Sequence, residues 1–155
     1  MVISERTRRL VVAGWLMLAA SGGLLAAEPQ QSVKVGDQQV LVAPLRLPGV
    51  RRVVIEQNGD IAPAAEDTQP PCAKFRLGVR DVREYLRSAQ LVNQHDYLHA
   101  LDWSPCYASG TVFFSDGSQG VWGIQQLRAG SLKLNDGREL FLFCPQCKSR
   151  VFPRP

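Results

Sequence analysis

Methionine and excess charge are scarce in this sequence, and each scarcity excludes a class of function. The chain of 155 residues has two methionines, Met1 and Met17, and both lie within residues 1–27. The rest of the chain therefore has no methionine ligand for a copper site. Without residues 1–27, 15 basic and 13 acidic residues remain, a net charge of +2. Such a small charge gives no electrostatic footprint for nucleic acid.

Familiar catalytic arrangements are missing as well. Ser104 and Ser109 stand in no nucleophile-elbow sequence, and the chain has no paired catalytic acids and no glycine-rich phosphate loop. Internal repeats and low-complexity tracts are also missing, and an apolar content of 45% is that of an ordinary globular protein. These absences favour a binding protein over an enzyme, although they leave an envelope enzyme with an unfamiliar site as an alternative.

Residues 1–27 are first basic and then apolar, which is typical of a secretory signal peptide. Three arginines precede an uncharged stretch of 18 residues, Leu10–Ala27. The arginines stay in the cytoplasm while the apolar stretch enters the bilayer. We expect cleavage after Ala27 and export of the remaining chain to the bacterial periplasm. A twin-arginine signal at Arg8-Arg9 and an uncleaved membrane anchor are alternatives, and contact with the membrane is expected only for the anchor.

Residues 28–71 predict a short amino-terminal β unit and a connection. A hairpin is expected around Gly36-Asp37, where two short apolar runs meet. Val50–Glu56 predicts a further strand, which should end at the turn pair Asn58-Gly59. Residues 60–71 contain three prolines and predict an exposed connection between this unit and the rest of the chain.

Residues 72–155 predict one helix followed by a sheet. From Leu77 to about Tyr97 the apolar residues recur at helical spacing, and Asp81 suits the first turn of a helix. After Ser104 the period becomes two, and tight glycine turns separate the predicted strands. These strands are Tyr107–Ser115, Val121–Arg128, Ser131–Leu134 and Glu139–Cys144. We therefore predict an α+β fold with one amphipathic helix and a four-stranded antiparallel meander, braced by disulfides.

The four cysteines, Cys72, Cys106, Cys144 and Cys147, all lie in the part expected to be exported. An even number of cysteines in an oxidising compartment predicts two disulfides. The meander begins just after Cys106 and ends at Cys144, so these residues should lie at the same end of the sheet. This favours a bridge from Cys106 to Cys144 or Cys147, with Cys72 taking the remaining partner. A local Cys144–Cys147 bridge together with Cys72–Cys106 stays open.

The spacing of Cys144 and Cys147 is a CxxC, which also serves two kinds of functional site. A thiol oxidoreductase needs this motif at the start of a helix, but here it follows a strand and only eight residues remain. A zinc site could use it as a half-site completed by Cys72 and Cys106, although these two lack the same close spacing. We expect structural disulfides and no cofactor, with zinc as the alternative.

His95 and His99 are the only histidines, and they stand four residues apart. On a helix they would share one face and could hold a metal ion, with Asp102 as a third ligand. Two partly exposed histidines near a helix end are the commoner arrangement, and we favour it. A nucleophilic Cys106 beside them is disfavoured because a disulfide-bonded sulfur cannot attack a substrate.

Two surface features could contact a partner. Arg76, Arg80, Arg83 and Arg87 are spaced to form a basic ridge on the predicted helix. Such a ridge is usually a solvated face, and its functional alternative is a contact surface for an acidic protein or anionic cell-envelope material.

The second feature is an aromatic segment that contains Tyr97, Trp103 and Tyr107. These aromatic side chains could be buried in the core or could form a contact surface. The sequence leaves both interpretations open.

The last third of the chain contains three distinctive stretches within residues 96–152, namely DYLHALDWSPCYASG, FSDGSQGVWGIQQ and FLFCPQC. With these stretches it resembles a family of small exported proteobacterial proteins. It implies export and a cysteine framework, and it carries no activity and no residue role.

Together the sequence predicts an exported, non-enzymatic binding or inhibitor-type protein of the periplasm. We expect its partner to be another protein of the cell envelope, and an immunity protein that blocks an incoming toxin is one form of this hypothesis. A periplasmic metal-binding protein that uses the cysteine or histidine ligands is the alternative, followed by an envelope enzyme.

Overall fold

The computed structural model describes residues 30–63 and 71–153, which form one antiparallel sheet flanked by helices. The strands are β1 Gln31–Val35, β2 Gln38–Pro44, β3 Val50–Ile61, β4 Gln90–Val92, β5 Cys106–Phe114, β6 Gln119–Gln125, β7 Ala129–Leu134 and β8 Glu139–Phe143. The helices in these ranges include α1 Val79–Ser88 and α2 Gln94–His99, and a 3-10 turn spans Cys72–Lys74. The strand order across the sheet is β1-β2-β4-β8-β7-β6-β5-β3.

The predicted α+β class fits this architecture, but the predicted four-stranded sheet is too small. Strands β5 to β8 are sequential antiparallel neighbours, as the glycine turns indicate. They form only half of an eight-stranded sheet. Strand β3 pairs with β5 at one side, while β4 pairs with β8 and then with β2 at the other. The amino-terminal strands therefore extend the meander at both edges, an arrangement that local periodicity does not reveal.

The amino-terminal hairpin is confirmed, whereas the predicted turn at Asn58-Gly59 is wrong. Strands β1 and β2 pair around Gly36, which has a φ of 56°. Strand β3 continues through Asn58-Gly59 in its pairing with β5. The Asn58 side chain donates to the Leu77 carbonyl and accepts the Leu77 N–H, each at 2.9 Å. Gly59 has a φ of 75° at an irregularity in the pairing with β5. A positive φ suits a bulge as well as a turn.

The single long helix predicted from Leu77 to about Tyr97 is also wrong. Helix α1 ends at Ser88, and strand β4 then enters the sheet between β2 and β8. Val92 fits the helical spacing of α1, but it is buried as a strand residue. Asn93 starts α2, because its Oδ1 accepts the Asp96 N–H at 2.8 Å. At the start of α1 the Asp81 carboxylate accepts the Gly78 N–H at 2.7 Å, as the first-turn position predicts.

Helix α1 packs against one side of the sheet, which we call the closed face. Its buried residues are Val82, Tyr85 and Leu86. The largest fully buried sheet side chains in the same core cluster are Trp122, Phe114, Ile124, Leu132 and Leu142. Gly130 lets α1 approach, because a Cβ at this position would lie 2.6 Å from the Tyr85 hydroxyl. The closed face therefore holds the main core.

Helix α2 covers part of the opposite side of the sheet. The Tyr97 and Phe141 rings pack with their centroids 4.8 Å apart. A second core cluster lies on this side and consists of Val40, Val42, Val92, Leu101, Ala129 and Phe143. Leu142 belongs to the first cluster and Phe143 to the second, so β8 is buried on both sides, which suits its continuous apolar sequence.

The predictions for the amino terminus fall largely outside the described residues. The signal peptide, its cleavage site and the anchor alternative lie there and stay predictions, as does most of the proline-rich connection. Within residues 30–63 and 71–153, none of the helices has the length and apolar character needed to cross a membrane.

Candidate functional site

The cysteines form the pairing that the meander geometry did not favour. Cys72 is bonded to Cys106, and Cys144 is bonded to Cys147. The favoured bridge from Cys106 to the end of β8 is wrong because β6 and β7 lie between β5 and β8. Three strand spacings are about 14 Å, which is twice the largest Cα separation that a disulfide spans. The observed Cα separations are 4.9 Å and 5.4 Å.

Disulfide formation removes two alternative sites. All four cysteines are bonded in pairs, so none is left as a thiolate for the alternative zinc site, and Cys106 is not a free nucleophile. The two bridges are consistent with an oxidising compartment. Their sulfurs belong to the main core, in which Cys144 is fully buried. The Cys72–Cys106 bridge holds the 3-10 turn against the start of β5.

The two histidines come together, but the expected third ligand does not join them. The His95 and His99 ring centroids are 4.9 Å apart on α2, and the His95 side chain is 79% exposed. His95 Nδ1 lies 3.5 Å from Asp96 Oδ1. Asp102 follows α2 on an exposed turn, and the described residues contain no group of three or more His, Cys, Asp or Glu placed to hold a metal ion. The proposed His95–His99–Asp102 set is therefore incomplete.

The predicted basic ridge is interrupted in its middle. Arg83 donates from Nη1 to the Val50 carbonyl at 2.6 Å and from Nη2 to the Arg51 carbonyl at 2.7 Å. This arginine ties α1 to β3 and is partly withdrawn from solvent. The other three members, Arg76, Arg80 and Arg87, are exposed. Their role as a contact surface stays a prediction.

A polar surface lies on the part of the sheet that α2 leaves uncovered. We call it the open face, and it is formed by Gln57, Tyr107, Ser109, Thr111, Val121, Gly123, Gln125 and Ser131. Its composition follows from strand alternation in β5, since every second residue from Cys106 to Phe114 is buried and the residues between them are half-buried. The buried set belongs to the closed face, so the half-buried set points away from α1.

Hydrogen bonds fix the side chains at the β3–β5 side of the open face. Gln57 Oε1 accepts the Tyr107 hydroxyl at 3.1 Å and the Ser109 hydroxyl at 2.7 Å. Thr111 Oγ1 donates to Glu56 Oε1 at 2.7 Å. These bonds join residues 50 to 55 positions apart in the sequence. The polar pattern is therefore a product of the tertiary fold.

A cavity of about 340 Å³ opens into this surface beside α2. Its polar lining comes from Tyr97, Ser104, Tyr107, Gln125 and Ser131. The floor includes Gly123, and a Cβ there would lie 3.6 Å from Ser131 Oγ, an ordinary contact. Because Gly123 has no side chain, this part of the cavity floor stays open to a ligand group. None of the nine lining residues carries a charge, so this open-face cavity suits an uncharged polar group.

The half-buried Tyr97 lies at the edge of the open-face cavity. Burial raises the pKa of its hydroxyl, while hydrogen bonds with Ser131 and Gln125 oppose this rise. The hydroxyl is therefore neutral at ordinary pH and can donate or accept a hydrogen bond. A phenol with a raised pKa is a poor general base, so the arrangement serves recognition better than proton transfer.

Large exposed apolar side chains flank the cavity. Trp103 is 54% exposed and lines a neighbouring hollow together with Tyr97 and Gln125. Val121 is 57% exposed on the open face itself. The aromatic segment of the sequence thus divides between the two interpretations, with Tyr97 and Tyr107 half-buried and Trp103 at the surface. The hydroxyl residues of β5 were missed as a site, although their alternation with small apolar residues was a signal.

No protein-family model, no curated protein and no solved structure matches this chain.

Proposed function

We propose that this protein is an exported, non-enzymatic binding protein of inhibitor type, which binds another protein of the bacterial cell envelope through its open face. The observation that carries this proposal is the uncharged cavity bordered by exposed Trp103 and by side chains already fixed in hydrogen bonds. An immunity protein that covers an incoming toxin is one concrete form of this function.

The charges of the surface indicate the chemistry of the partner. The centre of the open face is neutral, and the charged side chains around it on the same side of the sheet are Arg52, Glu56, Asp60, Lys133 and Glu139, two basic and three acidic residues that nearly balance. A surface of this kind attracts neither acidic nor basic proteins from a distance. The partner should therefore present an uncharged loop that enters the open-face cavity.

The exposed aromatic ring supplies the expected energetic centre of the contact. Tryptophan is enriched among the residues whose truncation costs most at protein interfaces. Trp103 stands beside the cavity and exposes more than half of its surface, so a partner loop in the cavity would cover it. Val121 would extend the apolar contact across β6.

Preorganisation favours binding through this surface. Ordering a flexible side chain at an interface costs about 0.5–1.5 kcal/mol, and this cost is reduced where the side chain is already held. Gln57, Tyr107 and Ser109 are held by hydrogen bonds, and the sheet behind them is packed against α1. Partner binding should therefore need little rearrangement.

The periplasmic location rests on two supports. The predicted signal peptide would export the chain, and the two disulfides suit an oxidising compartment. Intact mass of protein recovered from the periplasm tests this part directly. Loss of 27 residues and no alkylatable thiol is the expected result, whereas full-length protein with four free thiols would refute export.

Photo-crosslinking tests the binding surface with a matched pair of exposed valines. Val121 is 57% exposed on the open face, and Val79 is 44% exposed at the start of α1. A benzophenone amino acid at Val121 should yield a defined adduct with an envelope protein in living cells, and the same group at Val79 should not. Equal adducts at both positions, or none at Val121, would refute the open face as the binding surface.

A further inference from the structure

A second cavity lies at the carboxyl-terminal end of the chain, on the side of α1 and away from the open face. It has a volume of about 820 Å³ and is lined by residues of the segment that follows β8, together with Arg128. Ser149 in this segment donates its hydroxyl to Asp81 of α1 at 2.6 Å. Phe152 packs against Tyr85, with ring centroids 6.2 Å apart. We call this space the C-terminal cavity.

The lining of the C-terminal cavity carries positive charge only. Arg128, Lys148 and Arg150 are among its nine residues, and none of the nine is acidic. In the described part of the chain, none of these three cations forms an ion pair with a carboxylate. The carboxylate of Asp81 lies close by, where it accepts hydrogen bonds from Ser149 and from the Gly78 N–H, and it keeps its negative charge. Three cations against one carboxylate leave a net positive charge at the cavity, which attracts anions.

Arg128 has an unusual backbone for its residue type. It ends the loop between β6 and β7 with a φ of 71°, the one positive φ outside glycine in the described residues. This position of a three-residue hairpin loop normally takes glycine. The conformation is fixed because the Arg128 carbonyl accepts the Tyr85 hydroxyl at 2.9 Å and the Cys144 N–H at 3.1 Å. Glycine would serve this backbone better than arginine does.

The Arg128 side chain is only partly used within the protein. Its Nη2 donates to the Pro153 carbonyl, and its guanidinium lies 5.9 Å from the centre of the Phe152 ring. Its Nε is buried and has no hydrogen-bond partner among the described residues. Because solvent does not reach Nε, the Arg128 donors left for a ligand in the cavity are those of Nη1 and the second hydrogen of Nη2. Arg128 also lines a smaller adjoining cavity of about 410 Å³.

We propose that the C-terminal cavity binds a phosphate-bearing anion, with Arg128 as its central ligand and Lys148 and Arg150 as flanking cations. Three cations suit a dianion with several acceptor oxygens better than they suit a single carboxylate, and a guanidinium can offer a phosphate two parallel hydrogen bonds. The volume exceeds that of inorganic phosphate, so the natural ligand should carry its phosphate on a larger group, such as a soluble phosphorylated molecule or a lipid headgroup.

Calorimetric titration of the exported protein with inorganic phosphate tests the site at constant ionic strength, with acetate and chloride as reference anions. Saturable binding of phosphate, at least tenfold tighter than that of acetate, is expected. Arg128→Gly should weaken phosphate binding at least tenfold and keep the fold, because glycine accepts the φ of 71°. Phosphate binding no tighter than acetate binding, or unchanged in this variant, would overturn the proposal.

Two further variants keep the test decisive if Arg128→Gly fails to fold. Lys148→Gln and Arg150→Gln change exposed cations of the cavity, and each should weaken phosphate binding severalfold. Arg80→Gln removes an equally exposed cation of α1 that does not line the cavity, and it should have no effect. Equal effects of all three variants would show nonspecific charge attraction and refute the site.

Vesicles distinguish the two sources of the phosphate group. Phosphatidylcholine vesicles with and without phosphatidic acid can be tested for sedimentation with the protein. Arg128-dependent binding only to the vesicles with phosphatidic acid identifies a lipid headgroup. Binding of inorganic phosphate without vesicle binding identifies a soluble phosphorylated ligand. If the protein binds neither inorganic phosphate nor the vesicles with phosphatidic acid, this site is refuted, and the open-face proposal is unaffected.

Discussion

The two faces of the sheet are built from the same strands, but the space around their glycines differs. At Gly110, on the side of β5 that belongs to the closed face, a Cβ would lie 2.0 Å from the Val54 carbonyl oxygen of the neighbouring strand β3. On the open face, Gly123 would place its Cβ 3.6 Å from its nearest neighbour. Both glycines lie in strands of one hairpin. The difference shows that one glycine makes close packing feasible, while the other leaves a cavity.

The substitution with the largest effect on the free energy of unfolding should lie at the centre of the closed face. Trp122 is fully buried, so Trp122→Ala should lower the free energy of unfolding by about 3–5 kcal/mol. Trp122→Phe should cost less than half of this, because phenylalanine keeps much of the buried area and removes an indole N–H that has no partner. Urea unfolding followed by far-UV circular dichroism, with the disulfides intact, measures both. Equal losses would show that the indole nitrogen matters more than the ring.

The paired glycines give the sharpest test of the comparison. Gly110→Ala should lower the free energy of unfolding by about 1–3 kcal/mol or more, because the added Cβ meets backbone that cannot move aside. Gly123→Ala should leave it unchanged or raise it by up to about 1 kcal/mol, since the space is free and alanine restricts the unfolded chain. Urea midpoints measured side by side provide the check. A loss of stability in both variants would contradict the distinction between the faces.

Part of this distinction could be predicted from the sequence. Alternation within β5 and the glycine turns between the strands are local signals, and they predicted four neighbouring strands correctly. The spacing of Val92 led to the wrong prediction of a continuous helix. Strand β4 has only three residues, and so short a segment fits a helical period as well as a strand period. The positions of β3 and β4 depend on long-range pairing, which a local pattern does not contain.

The candidate site was harder to predict than the fold. The hydrogen bonds of Gln57 with Tyr107 and Ser109 depend on the pairing of β3 with β5, whereas local sequence patterns predict β3 in a separate amino-terminal unit. The favoured disulfide pairing failed for a related reason, because two ends on the same side of a sheet can still be three strands apart. Features that arise from tertiary neighbours have no signature in one segment of sequence.

The stability of the protein should fall at alkaline pH because Tyr85 is buried on the closed face. Burial raises the pKa of this hydroxyl well above its ordinary value of 10.0. The protein then gains stability from a protonated Tyr85 below pH 10 and loses it as the pH rises above 10, by about 1.4 kcal/mol per pH unit.

Urea midpoints between pH 8 and pH 11 measure this loss. Tyr85→Phe should reduce the slope of stability against pH, although it also removes the hydrogen bond to the Arg128 carbonyl. The slopes are therefore compared rather than the absolute stabilities. An unchanged slope in Tyr85→Phe would assign the alkaline loss to other groups, among them Tyr97, whose pKa burial also raises.

The smallest effect on stability should come from the open face, together with the largest effect on binding. Trp103 is 54% exposed, so Trp103→Ala should change the free energy of unfolding by no more than about 0.5 kcal/mol. The same variant should reduce crosslinking from Val121 at least tenfold if the tryptophan anchors a partner loop. A loss of more than 2 kcal/mol would place Trp103 in the core and erase the contrast between the faces. Unchanged stability with reduced crosslinking would mean that this large aromatic side chain serves the partner and not the fold.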